Sequence, residues 1–168
     1  MHLIIDGYNL LHVGRSLIQL NAADLQRERD RLIDQLSAYR RQKPCDITVV
    51  FDGWQSGWAT EKKERQKGID LIFSKLGEKA DEVIKRVVME KGAEVMVITS
   101  DREISRFAEK RSVPVVSSDV FRERMENSAF RHEKESLGDE EDEGQKKKGP
   151  SRRLSKKERR AKAALKKL

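Results

Sequence analysis

With 168 residues the chain is long enough for one domain with a hydrophobic core, and its charged fraction of 39% indicates that part of it is linker or extended arm. Its single cysteine, Cys45, excludes an intrachain disulfide and a cysteine-based zinc site, and the lack of any long apolar run predicts a cytoplasmic protein without a signal peptide or membrane span. The formal net charge of +7 favours a polyanionic partner, most often nucleic acid.

The first half of the chain alternates apolar runs with helical periodicity. A buried-type strand is predicted over residues 2–6, followed by a loop through Gly14 and a helix over about 22–41 that Pro44 ends. One face of that helix is apolar, and it carries Leu25, Leu32, Ile33, Leu36 and Tyr39. A second strand is predicted over 47–51.

The second half continues the alternation after a loop with Trp54 and Trp58 and a charged stretch from Glu61 to Lys67. The further predicted elements are a strand over 69–73, a helix over 80–91, a strand over 95–98, a helix over 102–111, an edge strand over 113–116 and a helix from about Val120. Strands that alternate with helices predict an α/β fold of three layers, with a mainly parallel sheet covered on both faces.

Beyond residue 131 the pattern ends in a basic C-terminal extension. Residues 132–150 read as a charged flexible linker, with an unbroken acidic run over 139–143, and 151–168 read as a basic arm with the pattern of a short helix. Residues 146–168 hold 12 of the 36 basic residues and one acid, Glu158, which leaves 24 basic and 28 acidic residues in 1–145. The positive charge therefore belongs to the tail, and the domain itself is mildly acidic.

Three predicted strands each deliver an aspartate at or just past their carboxyl ends: Asp6, Asp52 and Asp101. In open α/β sheets that edge is where ligands bind. Carboxylates gathered there repel one another unless a hard cation neutralises them, so the pattern predicts a Mg²⁺ or Mn²⁺ site. The alternative for each is a structural role, since aspartates at these positions also hydrogen-bond turns or cap helices.

Helical geometry separates the two acids at the start of the helix over 80–91. Asp81 lies at the edge of the apolar stripe and leans over the sheet, whereas Glu82 lies on the opposite face with Arg86 as a surface partner. No dinucleotide-binding or phosphate-loop glycine pattern is present, which argues against a nucleotide cofactor. Metal-activated water attacking a phosphodiester is the chemistry that such an acidic centre favours.

The order of these motifs resembles a known family. The elements Asp6-Gly-Tyr-Asn9, Val50-Phe-Asp52, Gly68 to Lys75, Ala80-Asp-Glu-Val-Ile and Thr99-Ser-Asp101 are similar to those of YacP-like NYN domains, which belong to the PIN-like nuclease superfamily. The resemblance covers roughly residues 1–130. It implies a PIN-like fold and a metal-dependent endoribonuclease that acts on RNA, with mRNA on the ribosome as a candidate substrate.

Carried onto this chain, the resemblance implies that Asp6, Asp81 and Asp101 bind the metal. Asp52 becomes a further acid of the site, and Asn9 orients the first acid or a metal-bound water. The predicted domains are thus the nuclease domain over 1–131, the linker over 132–150 and the arm over 151–168.

Aromatic and basic residues near these acids and in the tail are candidates for RNA contact, because loop tryptophans stack on unpaired bases and basic side chains bind phosphates. These candidates are Trp54, Trp58, Lys62, Lys63, Arg65, Lys67, Arg152, Arg153, Lys156, Lys157, Arg159 and Arg160. A packed tryptophan and a solvated charged loop are the structural alternatives. Two rival functions stay open: a non-catalytic RNA- or ribosome-binding module, and a phosphohydrolase of small phosphate esters, which would have no use for the basic tail.

Overall fold

The computed structural model describes residues 1–13, 21–53 and 58–137. Its strands are β1 (His2–Asp6), β2 (Asp46–Phe51), β3 (Lys62–Gln66), β4 (Ile69–Phe73), β5 (Val95–Ile98) and β6 (Val115–Val116). Its helices are α1 (Gly7–His12), α2 (Ala22–Gln42), α3 (Ala80–Lys91), α4 (Arg102–Lys110) and α5 (Ser118–Leu137), with a 3₁₀ turn over Gly92–Glu94.

The six strands form one sheet in the order β3-β4-β2-β1-β5-β6. All neighbouring pairs are parallel except β3 and β4, which form an antiparallel hairpin. Parallel strands need crossover connections, and here helices supply them on both faces. The sheet is therefore mostly parallel, as the sequence predicts, and β6 lies at its edge.

Two apolar cores show the three layers. Leu3 and Ile5 of β1 point into a core shared with α1, α2 and α5, while Ile4 between them points into a core shared with α3 and α4. Because side chains alternate along a strand, a run without polar interruptions must be covered on both faces. Both helical layers follow directly from the apolar runs of β1, β2 and β5.

Two elements differ from the sequence-based expectation. The segment after β1 begins as helix α1 rather than as a loop, and Gly14 lies outside the described residues. The charged stretch over 61–67 contains strand β3 rather than a solvated loop. Lys67 and Gly68 form the two-residue turn to β4, and both have positive φ, at 51° and 81°. That pair is typical of a type I′ hairpin turn, although lysine is an unusual residue for it.

Helix α5 begins at Ser118 and continues to Leu137, so it extends past the predicted domain end at residue 131 and includes the first residues of the predicted linker. The remainder of the linker and the whole arm over 151–168 lie outside the described residues. Among the residues that the structure does describe, no helix is both long and apolar enough to cross a membrane.

Candidate metal centre

Asp6 stands where β1 ends and α1 begins, and it is the most buried of the candidate acids, with 9% of its surface exposed. Its Oδ1 accepts the backbone N–H of Asn9 at 3.2 Å, which makes it the N-cap of α1. Its Oδ2 accepts the hydroxyl of Thr99 at 3.1 Å. Each carboxylate oxygen has more than one acceptor site, so both oxygens keep capacity for another partner.

Burial raises the pKa of Asp6 from 3.8 to about 6. The hydrogen bonds from Asn9 and Thr99 oppose this shift because they favour the ionised form, whereas the charges of Asp81 and Asp101 add to it. These three acids therefore share one electrostatic environment at the carboxyl edge of the sheet. A cation bound among these carboxylates would offset the repulsion between them.

Asp101 follows β5 and caps α4. One carboxylate oxygen accepts the N–H groups of Glu103 at 2.7 Å and Ile104 at 3.0 Å. The hydroxyl of Thr99 accepts the N–H of Asp101 at 3.1 Å while it donates to Asp6. Thr99 is buried and links the two acids, so it positions both of them.

Asp81 and Glu82 separate as helical geometry predicts. Asp81 is half-buried, and its pKa is raised first by burial and then by the charge of Asp101. Glu82 is exposed and pairs with Lys85 at 3.0 Å, which corrects the expectation that Arg86 is its partner. Arg86 instead pairs with Glu78 at 2.7 Å and with Glu61. Only Asp81 of the two acids faces the centre.

Asp52 is held by the end of β4. The buried hydroxyl of Ser74 donates to Asp52 at 3.3 Å and accepts the N–H of Gly53 at 2.9 Å. Gly53 lies so close to this segment that an added Cβ would meet the carbonyl oxygen of Ser74 at 1.9 Å. The sequence Asp52-Gly53 thus lets the chain pass tightly over β4, and it anchors Asp52 on the β4 side of the centre.

Asn9 contacts Asp6 through its backbone, and its side chain binds elsewhere. Its N–H holds Asp6, whereas its side-chain oxygen accepts the N–H of Ser100 at 2.9 Å and the hydroxyl of Ser118 at 2.6 Å. It therefore joins α1 to the end of β5 and to the start of α5. This is a positioning role that holds together the three segments around the acids.

Comparison with known proteins identifies the family of the chain. The family model of the YacP-like NYN domain matches residues 3–167. The chain belongs to that family. Its domain is therefore of the PIN-like nuclease type, and the family match extends through the basic tail.

Relatives of this family include a solved protein of Bacillus subtilis. The chain is 31% identical over 102 residues to the uncharacterized protein YacP of strain 168, a match that covers 59% of each chain. It is 25% identical to the crystal structure of Rae1 (YacP), with a TM-score of 0.66 and coverage of 82% and 80%. A variant of the same protein gives 23% identity, a TM-score of 0.64 and coverage of 83% and 85%. The matched segment spans about 59% of the length of the curated relative.

Within the described residues, no three His, Cys, Asp or Glu side chains form a ready-made metal cluster. Mg²⁺ is usually held by one or two carboxylates and several waters rather than by an all-protein cage. The donor set here fits that pattern, because Asp6 is buried, retains acceptor capacity and feels the charges of Asp81 and Asp101.

The candidate RNA-binding residues of the β3–β4 hairpin divide between its two ends. Lys62 and Lys63 lie beside the carboxyl end of β4, whereas Arg65 and Lys67 lie toward the opposite edge of the sheet, because β3 runs antiparallel to β4. Trp58 is 42% exposed, and the ammonium of Lys62 lies 4.5 Å from its ring centroid. Each basic residue of this group has an acidic partner, and the pairs are Lys62 with Glu64, Lys63 with Glu61 at 3.2 Å, Arg65 with Asp70 at 3.6 Å and Lys67 with Asp34. Exposed pairs contribute at most about 1 kcal/mol, so RNA phosphates would compete for these side chains. Trp54 and the six arginines and lysines of the tail lie outside the described residues.

Proposed function

We propose that this protein is a metal-dependent endoribonuclease that cleaves RNA phosphodiester bonds with Mg²⁺ or Mn²⁺, on mRNA at the ribosome. The observation that supports this most directly is the electrostatic coupling of Asp6, Asp81 and Asp101 at the carboxyl edge of a nuclease-type sheet. A bound divalent cation would supply activation of water and stabilisation of charge on the phosphoryl group. Asp6, Asp81 and Asp101 would hold it, in part through bound waters.

The chain's own residues have separate tasks in this proposal. Asp6 is fixed by two hydrogen bonds and by α1, so its carboxylate is oriented before any ligand arrives. Hydrogen bonds of Thr99 and Asn9 join the end of β1 and helix α1 to the segment that follows β5. Such preorganisation lowers the cost of arranging charge when the phosphodiester reacts. Asp52, anchored by Ser74, is a further acid toward the β4 side.

The paired variants Asp81→Asn and Glu82→Gln test this assignment. They remove one charge from neighbouring residues of the same helix, and the charge of Asp101 raises the pKa of Asp81. We expect Asp81→Asn to reduce cleavage by at least about 100-fold, the scale for loss of one electrostatic stabiliser, and Glu82→Gln to stay within about twofold. Labelled RNA is incubated with purified protein, alone and with translating ribosomes, in Mn²⁺ or in EDTA. Equal losses in both variants would contradict the assignment.

One observation favours a non-catalytic RNA- or ribosome-binding module instead. Asp6 caps α1 and Asp101 caps α4, so both acids have a structural function without any metal. In that case the wild-type protein would bind RNA or ribosomes but would not cleave RNA in Mn²⁺, and Asp81→Asn would leave binding unchanged.

A further inference from the structure

A cavity of about 260 Å³ lies between α2 and the β3–β4 hairpin, beneath the edge that carries the acids. Its apolar floor includes Phe51 and Phe73, the last residues of β2 and β4, whose rings stack with centroids 5.5 Å apart. Phe51 directly precedes Asp52, so an RNA chain that passes the acids would also pass the cavity. Cavities for drug-sized ligands measure about 300–1,000 Å³, so this one suits a smaller planar group.

Arg29 of α2 lines the cavity and is only 8% exposed. Its guanidinium carbon lies 5.7 Å from the ring centroid of Phe73 and 6.0 Å from that of Phe51. Within the described residues, its buried Nε–H has no hydrogen-bond partner. A buried donor without an acceptor is costly, and more so when the group is charged. The cavity is thus lined by a cationic side chain that the acceptor atoms of a ligand would contact.

The other polar groups of the cavity decide what kind of ligand fits. Glu64 of β3 lines it as well, and its carboxylate pairs with Lys62 and accepts the side-chain amide of Gln66 at 3.0 Å. A phosphate at this position would bring its negative charge close to that of Glu64. The indole of Trp58, also part of the lining, offers a surface on which a planar ring stacks. An uncharged planar ring that both accepts and donates hydrogen bonds fits better than an anion.

We infer that this cavity is a subsite for one unpaired guanine base of an RNA chain. Guanine presents the adjacent acceptors O6 and N7, which arginine recognises, and its N1–H and N2 amino group are donors that a carboxylate accepts. Arg29 would face the acceptors and Glu64 the donors. Adenine presents an amino group in place of O6, so its approach to Arg29 would leave two donors opposed. As a specificity subsite, the cavity rests on the proposed action on RNA.

Nuclear magnetic resonance of the full-length ¹⁵N-labelled protein tests the inference through the Nε–H resonance of Arg29, assigned through bonds. The probes are GMP, AMP, CMP, UMP and inorganic phosphate, titrated separately. We expect a saturable shift with GMP and at least about tenfold weaker binding of the other nucleotides. Inorganic phosphate should leave the resonance unmoved. An equal response to phosphate would make this an anion site, and an equal response to AMP would exclude guanine selectivity, so either result would overturn the inference.

Two variants on opposite faces of the hairpin complete the test. Replacing Arg29 perturbs the core, so the deciding variant is Glu64→Gln, which should weaken GMP binding about tenfold because one charge-assisted hydrogen bond is lost. Asp70→Asn is the matched control, because Asp70 lies on the other face of β4 and pairs with Arg65. Unchanged GMP affinity in Glu64→Gln would refute the base assignment.

These measurements involve no cleavage. A protein that fails to cleave RNA could therefore still bind guanine in this cavity. A protein that fails to bind GMP could still be a nuclease.

Discussion

Two opposing effects act on the ionisation of Asp6 in the metal-free protein. It caps α1 and receives the hydroxyl of Thr99, which favours the carboxylate, yet burial raises its pKa to about 6. The hydrogen bonds fix its direction, and burial together with the charges of Asp81 and Asp101 makes its ionisation costly. A bound cation would therefore stabilise the site, because it offsets the free-energy cost of ionising a buried carboxyl group.

The substitution Asp6→Asn should therefore stabilise the protein in EDTA. The folded-state pKa of Asp6 lies above its unfolded value of 3.8, so the penalty is fully present above pH 6 and disappears as the pH falls toward 4. Asparagine is also a good N-cap, so α1 keeps its cap. At pH 8 the free energy of unfolding should rise by up to about 3 kcal/mol, from 1.36 kcal/mol per pKa unit.

Urea unfolding at pH 8 and pH 4 measures this difference. The surface variant Asp70→Asn is the control and should stay within about 0.5 kcal/mol at both pH values. A gain for Asp6→Asn that is the same at both pH values would show that ionisation of Asp6 is not its cause.

At the scale of elements, most of the fold follows from the apolar pattern. Strands β1, β2 and β5 are mostly apolar, and α2 and α3 carry apolar stripes, so their positions are predictable to within two residues. Strand β3 was missed because it is an edge strand of charged residues, paired on one side only. Its turn at Lys67 and Gly68 lacks the asparagine or aspartate that usually marks a hairpin. Helix α1 was missed because six residues are too few to show a period.

Only part of the candidate site is likewise predictable from the local sequence. Strand ends and a helical wheel are local features, and they indicated Asp6, Asp81 and Asp101. The partners that position these acids come from distant parts of the chain, since Thr99 is 93 residues from Asp6 and Ser118 is 109 residues from Asn9. No local pattern encodes such pairs. The buried Arg29 also escaped prediction, because a charged residue on a helix is expected to face solvent.

The side chain of Asn9 links α1 to the end of β5 and to the start of α5, and this link yields a prediction about stability. Asn9→Ala would leave the fully buried Ser118 hydroxyl without its acceptor, and it would release α1 from β5 and α5. A buried hydroxyl left without a partner costs about 1–3 kcal/mol. We expect the free energy of unfolding to fall by about 2 kcal/mol in denaturant titrations.

Asn127→Ala, on an exposed face of α5, is the matched control and should change the stability by less than about 0.5 kcal/mol. Equal changes in the free energy of unfolding for the two substitutions would show that the hydrogen bonds of Asn9 do not stabilise the fold. Asn9→Asp, which keeps a side-chain oxygen at this position, should recover part of the loss.

At the scale of the whole molecule, the positive charge is concentrated in the C-terminal tail, and the rest of the chain is mildly acidic. Residues 146–168 carry 12 basic residues and one acid, and residues 1–145 carry 24 basic and 28 acidic residues. A domain that is negative overall, with acids at its candidate centre, repels the phosphates of RNA at long range. Attraction must then come from a separate element, and the basic tail is the one that the sequence provides.

Truncation after Glu143 should therefore weaken RNA or ribosome binding by orders of magnitude at low salt, while the described fold, which ends at Leu137, stays folded. Contacts to single-stranded phosphates each contribute about 0.7 to the slope of log affinity against log salt, so the slope should also flatten.

Binding is measured from low to high salt for the full chain, the truncation and a full-length variant with glutamine at Arg152, Arg153, Lys156, Lys157, Arg159 and Arg160. The glutamine variant keeps the length of the tail, so a loss shared with the truncation identifies charge as the cause. An unchanged affinity and slope in the truncated protein would instead assign docking to the basic residues of β3, Lys62, Lys63 and Arg65, and to Lys67 beside them.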